Sequence, residues 1–266
     1  MARSRLSSDR DRRSLQRPDA RVLMYQNRSN FSPLSLSPSL WLRGDLGITL
    51  NGNDVSAWAD QSGNNNHATQ STAGNQPLYV SGAAEFANKP VVRFSVANSD
   101  HLIADTLGNL LSGTDKPYTV IMVAKQTSAS NYILWSFGNS LVAAGGTCIQ
   151  MYNELSANSC RVDKVDDLST ASRVSKTSSL TGTAKMQMVA HSGTSFFVRN
   201  NATETTSSAQ DVGATTLDLF TIGCFRGSNS VEFWDGDLAE ALVFNRELVL
   251  PERDAVWNYV KNRYAL

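Results

Sequence analysis

Three carboxylates fall within six residues near the C-terminus, at Asp235, Asp237 and Glu240. Acids at such spacing suit glycoside hydrolysis, in which one carboxyl protonates the leaving oxygen and another attacks or activates water. The two must face one sugar, about 5 Å apart for a retaining enzyme and about 6.5–9.5 Å apart for an inverting one. In a regular strand, residues of equal parity share a face, so Asp235 and Asp237 point together while Glu240 points away with Leu242 and Phe244. Only a bulge would bring them round. On parity the trio reads as a closing strand, not a catalytic set.

Other candidates are sparser. In WADQSGNNNH (58–67), Asp60, Asn64 and backbone carbonyls offer hard oxygen ligands for calcium. One carboxylate is few for that ion, and an Asx-turn loop explains the same residues. Arg43-Gly44-Asp45 spells an adhesion tripeptide that is common by chance. His67, His101 and His191 sit in no G-x-S-x-G or H-E-x-x-H context. Cys148, Cys160 and Cys224 have neither metal-ligand spacing nor an even count, so they read as small buried hydrophobes.

The balance of 24 basic and 24 acidic side chains conceals an asymmetry. Residues 1–30 carry eight arginines (Arg3, Arg5, Arg10, Arg12, Arg13, Arg17, Arg21 and Arg28) against three aspartates, and the body is correspondingly acidic. Such blocks are commonly interaction tails. The N-terminus lacks the apolar run of a secretory signal, and no stretch approaches a membrane span, so assembly in a cytoplasm is expected.

These residues must be positioned by a largely β chain. Apolar runs at 90–95, 118–125, 131–138, 147–153, 185–193, 195–202, 217–224 and 237–245 lie between Gly, Asn, Ser and Thr clusters and read as strands. In 118–125 one face is expected to be fully apolar and the other partly so. HSGT (191–194) reads as a hairpin turn carried by Gly193. Pro33 and Pro38 predict a stiff extended connector. Val256, Tyr259, Val260 and Tyr264 fall at helical spacing behind Pro251, which predicts one terminal helix. The expected organisation is an arm and linker over 1–39 and one all-β antiparallel sandwich over 40–266.

Three segments in order resemble the laminin-G-like, concanavalin A-like jelly-roll family, in the form found in bacteriophage particle proteins and bacterial surface proteins. They are LWLRGDLGITLNGNDVSAWADQSGNNNHATQ (40–70), KPVVRFSVANSDHL (89–102) and the ending that opens WDGDLAEALVFNREL (234–248). Ser95 stands where the family usually has Asp, and Arg199-Asn200-Asn201 replaces a common Y-V-N-G turn. Laminarinase-like members use an E-x-D-x-x-E strand, to which Asp235, Asp237 and Glu240 are a near match, with the shorter Asp in first place.

The resemblance implies the jelly roll and leaves function open, since such sandwiches host lectins, glycosidases and structural domains. The expectation is a non-enzymatic virion surface protein, a capsid decoration whose arm docks on other virion proteins such as the major capsid protein. The arm's expected partner is protein, not nucleic acid. A homo-oligomer is expected because sandwich edges need cover. The alternative is a carbohydrate-binding adhesin of a tail fibre or cell surface; aromatics such as Trp135 or Trp234 would hold host glycans if exposed, but core packing is the role expected of both. A glycoside hydrolase ranks behind both.

Overall fold

The computed structural model describes residues 31–128, 132–142, 146–154, 159–177, 180–207, 213–226 and 230–266. The eight arm arginines therefore lie outside the described residues.

The first half of the chain forms β1 (Leu40–Arg43), β2 (Ile48–Asn51), β3 (Asp54–Trp58), β4 (Ala68–Thr69), β5 (Leu78–Ala83), β6 (Lys89–Phe94), β7 (Leu102–Ile103), β8 (Tyr118–Gln126) and β9 (Tyr132–Gly138). The second forms β10 (Cys148–Glu154), β11 (Ser159–Val165), β12 (Ala171–Thr177), β13 (Lys185–His191), β14 (Phe196–Asn200), β15 (Thr203–Ser207), β16 (Leu219–Ile222), β17 (Phe225–Arg226), β18 (Ser230–Val231), β19 (Gly236–Phe244) and the helix α1 (Leu250–Tyr264). Pairing resolves these into two antiparallel layers. In the first, β15, β14, β13, β8 and β19 follow one another. The far edge of β19 is shared by β6, backed by β5, along 236–238 and by β1 along 240–243. The second layer runs β2, β3, β4, β7, β16, β9, β10, β11, β12. A bridge from Asp54 to Leu78 joins the two layers at one edge.

The period of two sorts side chains between the layers. Leu40, Leu42, Val120, Met122, Leu238 and Val243 meet Trp135, Phe137, Met151, Val162 and Phe220 in the interior. The opposite face of β8 is only partly apolar, as expected for 118–125, with Thr119 and Lys125 on either side of Ile121 and Val123. Ile121 and Val123 pack with Trp41, Leu242 and Phe244 beneath Val256, Trp257, Val260 and Tyr264 of α1. The helix thus forms a third layer. Each such side chain, once fully buried, contributes roughly 1.5–3 kcal/mol.

The helix begins as expected, with Pro251 in its first turn. The Glu252 carboxylate accepts from the Val249 N–H at 3.1 Å and from Arg246 at 2.7 and 3.0 Å, so the first turn is tied to the chain ahead of it. The hairpin at Gly193 is present, with that residue at φ 102°. The segment ahead of β1 is not an extended connector. Pro33–Leu36 forms a 3₁₀ turn capped by Ser32, Leu36 is buried, and Phe31 packs edge-on against Tyr259.

Gly44 shows how tightly β1 seats. A Cβ there would lie 2.4 Å from the Pro90 carbonyl oxygen and 3.2 Å from that of Ala239. Gly44→Ala should lower stability by about 2–3 kcal/mol, through displaced backbone, as read by urea denaturation. An unchanged midpoint would show that the approach of β1 to β6 is slack.

Candidate functional site

The acidic strand departs from the parity expected of it. In the pairing of β19 with β8, Leu238 faces Ala124 and Glu240 faces Val123, so Ala239 is an extra residue. This β-bulge turns Glu240 onto the helix-facing side, the side that Asp237 and Ala239 also face. Regular alternation would have separated Asp237 from Glu240. The bulge nevertheless creates no catalytic pair, because each carboxylate has its own partners. Asp237 is held by Arg93, whose Nε and Nη2 donate at 2.6 and 2.9 Å. Glu240 is fully buried; it accepts from Trp41 Nε1 at 2.5 Å, Tyr259 Oη at 3.0 Å and Tyr264 Oη at 2.7 Å. Burial lifts the Glu240 carboxyl above the ordinary glutamate range, against the pull of the hydrogen bonds from Tyr264 and Trp41. Asp235 accepts from Thr127 at 3.2 Å.

Asp60 and Asn64 come together as a staple. Asp60 Oδ1 accepts from the N–H groups of Trp41 and Ser62, and Oδ2 from the Ser62 hydroxyl and the Asn66 N–H. Asn64 Nδ2 donates to the Pro38 carbonyl at 2.9 Å, and His67 Nδ1 accepts the Asp60 N–H at 3.0 Å. Both carboxylate oxygens thus serve backbone and hydroxyl donors that fasten β1, the role an Asx-turn loop predicts. Among the described residues, no group of three or more His, Cys, Asp or Glu side chains could hold a metal ion.

The adhesion-like tripeptide is internally committed. Asp45 accepts from Arg43 Nε at 2.7 Å and Arg263 Nη2 at 2.6 Å. Burial pushes its carboxyl up, but the hydrogen bonds from Arg43 and Arg263 prevail and hold it at about 2. Trp135 and Trp234 are fully buried, so neither offers a ring to a sugar. The three cysteines are buried and form no disulfide with one another, and burial pushes the Cys148 thiol up to about 12. His191 stacks between Tyr118 and Phe196, and His101 meets Gln70 and the Ser99 carbonyl.

The side chains that the sequence reading missed lie on the outer face of the second layer. Met151, Val162 and Val174 point inward, so their neighbours Gln150, Tyr152, Arg161, Asp163, Arg173 and Ser175 form one polar field across β10, β11 and β12. Register sets Tyr152 opposite Arg161, and Asp163 opposite Arg173. The Arg161 guanidinium lies 4.3 Å from the Tyr152 ring centroid. Asp163, 4% exposed, accepts from Arg161 at 3.0 Å and from Arg173 at 2.9 Å, which fixes both cations. The Tyr152 hydroxyl donates to Glu232 at 2.9 Å. The signal available beforehand was the alternation in SCRVDKV and ASRVSKT, too polar to stand out as strand.

Comparison with solved structures places the chain among β-sandwich domains. The botulinum neurotoxin type G receptor-binding domain superposes with a TM-score of 0.58 at 9% identity, over 84% of this chain and 51% of that one. A mutant NanB sialidase from Streptococcus pneumoniae gives 0.50 at 14% identity, over 61% and 26%. The CBM40 of a Ruminococcus gnavus intramolecular trans-sialidase, bound to α2,3-sialyllactose, gives 0.47 at 15% identity, over 53% and 82%. At these identities the likeness is one of fold. No family model and no curated protein matches the sequence.

The partners of Glu240 give a stability test. Glu240→Ala leaves three buried donors without an acceptor and should cost about 3 kcal/mol or more. Glu240→Gln keeps acceptor and shape without the charge and should stay within about 1 kcal/mol of the wild type. Because burial raises this carboxyl in the folded state, the folded chain binds the proton more readily than the unfolded one. The contribution of Glu240 to stability therefore falls as pH rises from its unfolded value near 4.5 through the folded pKa. Glu240→Gln should remove that dependence, as read by urea titrations between pH 4 and 8.

Proposed function

We propose that the chain is a non-enzymatic binding module whose ligand is carbohydrate, met on the outer face of the second layer. One observation carries this reading: the two sheets end in opposite ways. The first layer is sealed by α1 and its apolar underside. The second presents a planar phenol, two fixed guanidinium groups and an exposed serine in one field. Sugars are recognised by such planar polar groups, which take paired hydroxyls, and by aromatic surface against the C–H faces. The toxin domain that shares this sandwich is a receptor-binding domain, which supports a binding role. The separate commitments of Asp235, Asp237 and Glu240 support the absence of glycosidase chemistry.

The chain's arm favours a second reading: attachment to a larger particle, such as a virion, through eight arginines. The likenesses to solved structures lend the virion role no support, so it stands on the arm alone. Deleting residues 1–30 should abolish particle association and leave sugar binding intact, and normal incorporation of the truncated chain would end that reading.

The carbohydrate reading is tested on a glycan array. Specific sugar binding is expected, weakened at least tenfold by Arg173→Ala, whose side chain is 59% exposed and can be removed without unfolding. Background signal across the array, or binding indifferent to Arg161→Ala and Arg173→Ala, would overturn it.

A further inference from the structure

Two leucines stand almost clear of the protein at one end of the second layer. Leu141 is 87% exposed and Leu168 86%, whereas among the described residues no other large apolar side chain exceeds 55%. Leu141 lies in the turn from β9 to β10, and Leu168 in the turn from β11 to β12. Because Cys148 at the start of β10 pairs with Val165 at the end of β11, the two turns sit side by side. Two strand spacings separate them, about 10 Å.

Neither turn is slack. In the first, Asn139 Oδ1 accepts the Leu141 N–H at 2.8 Å, and Asp218 accepts the Ser140 N–H at 2.7 Å. In the second, Asp166 Oδ1 accepts the N–H groups of Leu168 and Thr170 at 2.9 and 2.7 Å. Both turns are also pinned to one segment, 213–218. Asn139 Nδ2 donates to the Thr216 carbonyl, the Gly213 N–H to Asp166, and the Thr216 N–H to Asp167. Such bonds fix the turn backbone and hold the leucines away from the core. A single exposed leucine is ordinary, but two on adjacent fixed turns form an apolar site left uncovered.

The surrounding charge narrows what can cover it. The two turns and the segment that pins them, 139–142, 166–170 and 213–218, hold Asp166, Asp167 and Asp218 and no basic side chain. Burial pushes the Asp167 carboxyl up, but the hydrogen bonds from Thr216 prevail and keep it below the ordinary range, so it is charged at neutral pH. Asp218 accepts two hydrogen bonds from Ser140, of the roughly four that a carboxylate can take. Lys164 is matched to Asp115 at 3.8 Å, and exposed Lys116 is outnumbered. An occupant with apolar residues flanked by cations is required.

The chain itself holds such a segment. Ahead of Phe31 stand eight arginines against three aspartates, with apolar residues set among them. Leu15 lies between Arg13 and Arg17, and Val22, Leu23 and Met24 follow Arg21. Three residues of extended chain cover about 10 Å, the spacing of the two turns. The arm's point of attachment favours a neighbour's turns over its own. Phe31 packs on Tyr259 of α1, outside the first layer, whereas the leucine turns end the second, so the chain's own sheets lie between. Contact of arm with turns between copies is head-to-tail, and closes into a ring where the rotation permits.

We propose that the leucine turns receive the arm of a second copy of this chain, with apolar arm residues on Leu141 and Leu168 and arm arginines on Asp167 and Asp218. This surface is separate from the arginine field and stands whether or not that field binds sugar.

The test is light scattering on size-exclusion chromatography of the full chain at rising concentration. Oligomers are expected at low salt, and they should weaken as salt screens the arginine contacts. Leu141→Ser with Leu168→Ser should weaken association at least tenfold without moving the urea midpoint. Arg13→Ser, Arg17→Ser and Arg21→Ser together should do the same. Each variant keeps the half of the contact that the other lacks, so mixing them should give a mixed pair although each alone is a monomer. A synthetic peptide of residues 1–30 should dissociate the wild-type oligomer and bind the leucine variant at least tenfold more weakly. A monomer at every concentration, which includes an arm folded onto its own turns, would overturn the proposal. So would oligomers indifferent to the leucines or to the arginines, or the absence of a mixed pair.

Discussion

The Glu240 carboxylate, fully buried between β19 and α1, is where the helix is fastened to the first layer. Its oxygens take hydrogen bonds from Trp41 of β1 and from Tyr259 and Tyr264 of the helix. A charge so placed is costly unless each of its acceptor sites is used, and here the partners come from segments some two hundred residues apart. The bulge at Ala239 makes it possible, since in an unbulged strand Glu240 would share the interior-facing side of Leu238. The same bulge leaves Leu238 and Ala241 facing the interior on either side of it. Burial and the adjoining charge hold the Tyr259 and Tyr264 hydroxyls protonated, which keeps them donors.

From that fastening the division of the surface follows. Once α1 lies on the first layer, Arg253 reaches Glu204 and stacks on Phe197, and Arg199 reaches Asp254, so the helix is also tied to β14 and β15. Arg263 closes the other end on Asp45. The outer face of the second layer is covered at β9 and β10, where Phe225 and Val231 pack with Ile133, Cys148 and Tyr152, and no helix among the described residues lies over β11 and β12. There the polar members of each alternating strand remain at the surface. A buried carboxylate, Asp163, keeps two arginines in place instead of collapsing the field into solvent-facing disorder of side chains.

Much of the β content was legible because its apolar runs are continuous. The strands at 118–125 and 237–245 stood out for that reason, and they prove to be the paired centre of the first layer. The polar strands β11 and β12 did not stand out, since only alternate residues such as Val162 and Val174 touch the core. The Asp60 loop was readable as an Asx-turn because its bonds are mostly local. Trp135 and Trp234 were readable as core rings, and both are fully buried.

The sequence by itself determined the class of fold, the terminal helix and the hairpin at Gly193. Periodicity and turn chemistry are local, and each is written within a few residues. Only the tertiary structure decided what the acidic residues do. A carboxylate's role depends on which donors surround it, and those donors arrive from distant strands. One inserted residue, Ala239, brought Asp237 round to the face that Glu240 shares with Leu242 and Phe244. The same packing gave Asp237 to Arg93 and gave Glu240 to two tyrosines and a tryptophan.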